Sequence, residues 1–140
     1  MKIVATNEMD EIKEFLGNGL DEYNRMFNKN INPVENQKKF GFYAFEGGTK
    51  IGGVYGYMDF GNWVWISLLF VDEKHREKDM GTALINAVEK FAKTEKCIGV
   101  HLNTFSWQAK GFYEKMGYTQ YGELNNHPEN GKMFWLKKEF

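Results

Sequence analysis

The sequence predicts an α/β chain of the α+β kind, a mixed, mostly antiparallel central sheet with flanking helices and one parallel strand pair. Three observations carry this. Residues 40–58 alternate in polarity around Gly47-Gly48, as an antiparallel hairpin does. The apolar run 63–71 is followed by a helical pattern and then by the strand-like stretch 97–104, the order of a strand-helix-strand crossover. Residues 118–124 and 132–139 flank a polar loop and close the sheet as antiparallel strands.

Taken in order, residues 2–5 alternate like a short strand. Asn7 then offers an N-cap to a helix whose apolar positions Met9, Ile12, Phe15 and Leu16 share one face. A second helix is predicted from Leu20 to about Phe27, and residues 28–36, with Asn32-Pro33 inside, form a loop. From Phe40 the period changes. Phe42-Tyr43-Ala44-Phe45 and residues 51–58 pair as the hairpin, and Asp59-Phe60-Gly61-Asn62 supplies the next turn. The unbroken run 63–71 predicts a central strand covered on both faces. From Met80 the positions Ala83, Leu84, Ala87, Val88, Phe91 and Ala92 recur at helical spacing, so this helix lays one stripe on the sheet and ends near Lys96. A right-handed crossover then sets residues 97–104 parallel to 63–71 and beside it. Ser106 is placed to cap a further helix, and Gly117 to follow its end.

Composition narrows the function classes. The 140 residues amount to a single domain, 1–140, and 42% hydrophobic with 16% aromatic residues is ample core material. With 18 basic and 19 acidic side chains, no global field favours nucleic acid or an anionic membrane, so neither is expected as a partner. Glu8 comes too early for a secretory apolar segment and run 63–71 is too short to cross a bilayer, which predicts a soluble, cytoplasmic protein. Cys97 is the only cysteine, and His75, His101 and His127 show no ligand spacing, so no metal is expected. Phe134-Trp135 on a terminal strand opens the way to a homodimer.

The most informative segment runs from Val71 to Leu84. It joins the apolar strand through a charged turn to a helix opening near Met80-Gly81, which places a row of free backbone N–H groups at the strand's carboxyl end. Those donors and the positive end of the helix dipole together favour a phosphate or pyrophosphate. The order of Arg76 and Gly81 resembles the acyl-CoA-binding signature of the GCN5-related N-acetyltransferases (GNAT), with Asp79 standing where that family's first glycine usually lies. The later run Leu102-Asn103-Thr104-Phe105-Ser106-Trp107-Gln108-Ala109 and the following Phe112-Tyr113-Glu114-Lys115-Met116-Gly117-Tyr118 are similar to the family's strand-and-helix segment. Together these stretches cover roughly the second half of the chain.

The resemblance implies a GNAT-like sheet whose parallel pair is splayed to hold acyl-CoA, and an acetyl-CoA-dependent N-acetyltransferase that works by direct attack of an amine. It implies acetyl-CoA as co-substrate, a small-molecule or peptide amine as acceptor, and a backbone N–H among Leu69, Phe70 and Val71 polarising the thioester carbonyl. Arg76, Glu77, Lys78, Asp79, Met80, Gly81 and Thr82 match the pyrophosphate loop, and Asn103 and Ser106 are within the pantetheine region. Tyr113 matches the tyrosine that protonates the departing thiolate. With thiol and phenol at about 8.5 and about 10, that transfer is uphill by roughly 2 kcal/mol. The acceptor amine must also lose a proton, for which Asp59, Glu73, His75 and His101 are candidates without distinguishing context. Tyr23, Phe27, Phe42, Tyr55, Tyr57, Trp63 and Trp65 supply either core or an acceptor pocket. The alternative is a non-catalytic acyl-CoA-binding sensor or interaction module of the same fold. A nucleotide-binding α/β domain is weaker, because the helix-opening segment lacks the dinucleotide glycine pattern.

Overall fold

The hairpin around Gly47-Gly48 is the first unit of the sheet, and both glycines take positive φ, +54° and +83°, as a tight turn between paired strands requires. The computed structural model of the chain describes residues 1–76 and 79–140. The hairpin strands are β1 (Lys39–Glu46) and β2 (Thr49–Met58), followed by β3 (Val64–Val71). Helix α2 (Met80–Thr94) crosses over to β4 (Gly99–Phe105), and the short α3 (Lys110–Lys115) leads to β5 (Thr119–Asn125) and β6 (Lys132–Glu139). An N-terminal helix, α1 (Met9–Phe27), precedes them all. The strand order is β1-β2-β3-β4-β6-β5, antiparallel throughout except for β3 and β4.

One face of this sheet carries the core. Leu84, Ile85, Val88 and Ala92 of α2 pack on Val54, Val64, Ile66, Val71, Val100, Leu102 and Leu136, and Tyr113 of α3 joins them. The stripe predicted for α2 is the one that is buried. The opposite face is open. Tyr43, Phe45, Tyr55, Leu68 and Phe70 are all exposed there, with Leu68 at 69% and Phe70 at 62%. The expected two-sided cover of residues 63–71 is therefore not found, because no helix lies over this face.

The cause of the phase change along β3 is a bulge. Tyr55 pairs with Leu68 and Gly56 with Ile66, which leaves Ser67 without a partner on β2. One extra residue inverts the alternation, so Val64 and Ile66 point into the core before it and Leu69 and Val71 after it. The parallel ladder with β4 stops at the same point. Val64, Trp65 and Ile66 pair with Val100, His101 and Leu102, and no pair follows. Beyond the bulge β3 stays with β2 while β4 stays with β6 through Phe105, so the two parallel strands diverge as a V.

Four expectations change at the ends of the chain. Residues 2–5 form no strand, since no edge pairs with them and every one is exposed. The two predicted N-terminal helices are one continuous helix, α1, because Gly17 and Gly19 do not interrupt it. Ser106 caps nothing. Helix α3 opens at Lys110 after Ala109, and the end of β4 is closed by Gln108, whose Oε1 accepts from the Phe105 N–H at 2.7 Å. The strand bearing Phe134 and Trp135 is interior, between β4 and β5, so it offers no free edge for a dimer.

Candidate active site

Each arm of the V runs on into a helix. β3 leads to the first turn of α2, and β4 leads to α3 with Tyr113. Phe112 of α3 sits against Gly81, where an added Cβ would come within 3.1 Å of its ring, so a glycine is what lets the two helices meet at the mouth. Among the described residues, Ala83 makes the first helical hydrogen bond, to Asp79 O at 2.9 Å, and the N–H groups of Met80, Gly81 and Thr82 precede it. No acidic residue lies in that first turn. Three donors and the dipole's positive end therefore face outward beside the V.

Asp79 occupies the N-cap with φ +57°, the left-handed region that the family's glycine would take without strain, and its carboxylate makes no cap hydrogen bond. Arg76 donates from Nε to the Val71 carbonyl at 3.0 Å, which pins its guanidinium to the end of β3. Glu77 and Lys78 lie outside the described residues. Along the β3 arm, Val71 is buried, Leu69 half-buried and Phe70 exposed, while the backbone edge facing β4 is unpaired from Ser67 on. Across the gap Asn103 lies just past the last parallel pair, opposite Trp135. Ser106 is exposed beyond the end of β4, its N–H donating to the Lys132 carbonyl at 2.9 Å, so it stands outside the V proper.

Tyr113 is buried, 6% exposed, with its ring 5.9 Å from that of Tyr118. Burial pushes its phenol up to about 12. This more than doubles the cost of handing its proton to a thiolate near 8.5, from about 2 to about 5 kcal/mol.

The structure also joins two candidates that the sequence lists separately. His101 Nε2 lies 2.7 Å from Asp59 Oδ2, and His101 Nδ1 lies 3.3 Å from the Tyr121 hydroxyl. Burial works to raise the Asp59 carboxyl, but the hydrogen bonds from His101 and from the Trp63 and Gly61 N–H groups outweigh it and hold it below the ordinary carboxylate range. The imidazole is flanked edge-on by Trp63 and Trp65. Its strand position, opposite Trp65, is one pair short of where the V opens. His75 is held elsewhere, 2.7 Å from Glu46 at the hairpin end, and Glu73 is exposed in the turn after β3. Tyr121 escaped the sequence, since an exposed tyrosine on an edge strand carries no signal of its own.

The geometry meets its relatives at this point. Residues 7–118 match the model of the acetyltransferase (GNAT) family. The chain is 34% identical over 95 residues to the blasticidin-S acetyltransferase of Streptomyces morookaense, covering 67% of this chain and 69% of that protein. It is 32% identical over 89 residues to an acetyltransferase of Agrobacterium fabrum, a match that spans 64% of each chain and so less than two thirds of that relative. The crystal structure of an acetyltransferase from Bacillus cereus superposes with a TM-score of 0.85 at 28% identity, over 100% of this chain and 98% of that one.

Asp79 yields a prediction. Asp79→Gly removes a negative charge from the row of donors, so coenzyme A should bind about fivefold tighter by titration calorimetry. Stability in urea should stay within about 0.5 kcal/mol, the relief of the left-handed residue offsetting the added chain entropy.

Proposed function

The chain belongs to the GNAT acetyltransferase family, and from that premise we propose that it is an acetyl-CoA-dependent N-acetyltransferase acting on a small-molecule or peptide amine. The observation that carries the proposal is the end of the parallel ladder at Ile66 and Leu102, beside the free N–H groups that open α2. A pantetheine arm has amides of its own and pairs with the unpaired edge at Leu69, Phe70 and Val71 like a short extra strand. The pyrophosphate lies at Asp79, Met80, Gly81 and Thr82, with Arg76 as the fixed cation. Asn103 borders the same arm from β4, and Ser106 lies at its outer end. Acetyl-CoA is a cytoplasmic metabolite, and the cytoplasm is where we place this protein; no helix among the described residues is long and apolar enough to cross a membrane.

The acetyl group is held where β3 turns at its bulge. The amine attacks the thioester carbonyl, and a backbone N–H of residues 69–71 donates to the developing oxyanion, a fixed donor worth several kcal/mol in a dry site. Collapse of the tetrahedral species expels the CoA thiolate. Because burial raises Tyr113, its main contribution is a hydrogen bond that stabilises the leaving sulfur, with the proton following as the charge develops.

His101 is the base this geometry favours. An ionised Asp59 keeps the proton on Nε2 and leaves Nδ1 to accept, through the Tyr121 hydroxyl, a proton from the amine. The acceptor itself lies on the open face of the sheet. There a trough of about 520 Å3 runs between Tyr43, Tyr55, Leu68 and Phe70, apolar apart from Lys50 and Asp72 at its margins. Its walls suit a flat or apolar body carrying one amine.

A titration with coenzyme A followed by an amine panel with acetyl-CoA, reading thiol release, tests the whole. Heat without thiol release from any amine would favour the non-catalytic sensor, and no heat would remove the site. In the active enzyme Tyr113→Phe should lower kcat about 10- to 100-fold, the worth of one hydrogen bond to a charged group, and leave coenzyme A affinity unchanged. His101→Ala should slow acetylation most at neutral pH. The deficit should shrink as the pH approaches about 10, where a lysine-like amine loses its proton unaided, and a pH-independent deficit would point to lost packing instead.

A further inference from the structure

Helix α1 does not touch the core. Its apolar side chains fall on one stripe, with Ile12, Phe15, Leu16, Leu20, Tyr23 and Phe27 within it, yet no residue of the helix is buried and Phe15 is 76% exposed. A lone helix of 19 residues with such a stripe gains too little from its own hydrogen bonds to hold in water. Its stability must come from a surface that the stripe covers. The chain also carries an apolar surface with no cover, the open sheet face around Tyr43, Tyr55, Leu68 and Phe70.

The loop between α1 and β1 keeps the two apart within one chain. The Asn32 N–H donates to the Phe60 carbonyl at 2.7 Å, and Asn62 Nδ2 to the Asn30 carbonyl at 2.8 Å. These bonds fix the exit of α1 to the turn between β2 and β3, and no residue of the helix is buried against the sheet.

We infer that α1 of each copy docks on the open sheet face of a second copy, forming a reciprocal dimer in which the partner's helix roofs the acceptor trough. The surfaces match in apolarity. The five carboxylates of α1, set against Lys13 and Arg25, lie off the stripe and stay in water when the stripe docks. The same acidic polar side argues against a membrane surface, which calls for a basic one. Eight large apolar side chains of α1 are exposed. At roughly 100 Å2 apiece, two helices together remove about 1,600 Å2 from water, the size of a standard stable interface. The trough's role rests on the proposed acetyl transfer, whereas the dimer does not.

Sedimentation of the intact protein is the test, and it makes no use of turnover. The expected mass is twice 16.4 kDa. Leu16→Glu with Leu20→Glu on α1, or Leu68→Glu on the sheet, should each give 16.4 kDa and lose the helical circular dichroism of the now uncovered α1, while the cooperative unfolding of the sheet domain is kept, since all three side chains are solvent-facing in one copy. To tell exchange from closure within a chain, Phe15→Cys, Leu20→Cys or Tyr23→Cys is refolded with a separate Leu68→Cys chain in a Cys97→Ala background. A disulfide between the two different chains supports the exchange. A monomeric wild type, a dimer indifferent to all these variants, a link formed only when both cysteines are on one chain, or flotation with phosphatidylserine vesicles would each overturn it.

Discussion

The whole site depends on one unpaired residue. Ser67 has no partner on β2, and at that residue the parallel ladder between β3 and β4 ends. A regular ladder would continue pairing to Val71, satisfying every N–H and carbonyl on that edge and leaving no strand for a ligand amide to extend. The bulge releases those groups and turns the core phase of β3 in a single step, so the strand can leave β4 and still bury Leu69 and Val71 under α2. Leu68 and Phe70 are thereby sent to the open face. One insertion thus makes both the gap between β3 and β4 and the exposed apolar surface.

The gap works through backbone rather than through side-chain charge. The N–H groups at the start of α2 are unpaired because a helix has no partners for them, and the helix is placed by burial of Leu84, Ile85 and Val88 at the other end of the argument, in the core. Side chains adjust the result. Arg76 is fixed by a carbonyl of the strand it follows, and Asp79 holds the left-handed turn at the expense of a negative charge beside the row of donors. Tyr113 illustrates a conflict between packing and chemistry. The burial that positions it also raises its phenol, which shifts its part from free proton donor toward hydrogen-bond donor.

The outer face shows the same economy. Its apolar residues cannot be explained by the chain's own core, and the stripe of α1 cannot be explained by its own helix. Each surface is the kind of partner the other lacks. An acceptor trough bounded by a second copy would tie substrate access to assembly, with His101, Asp59 and Tyr121 on the same side of the sheet.

Local pattern determined most of the architecture. The Gly47-Gly48 hairpin, the crossover from residues 63–71 through α2 to β4, the closing pair β5 and β6, and Gly117 at φ +92° after α3 all follow from periods and turn residues within a few positions of one another. The helix start after β3 follows in the same way, with the N–H groups that any helix opening leaves unpaired. Tertiary structure decided what periodicity cannot carry. In the run from Val64 to Val71 every residue but Ser67 is apolar and no alternation fixes a phase, so the bulge at Ser67 and the exposure of Phe70 were invisible until β2 and β4 were paired with it. The Asp59–His101 contact joins residues 42 apart, and sequence lists both without pairing them. The helical stripe of residues 9–27 was legible as a stripe, but what it covers depends on a surface no local pattern names. A side chain's period records that it must be buried, and only the packed chain records against what.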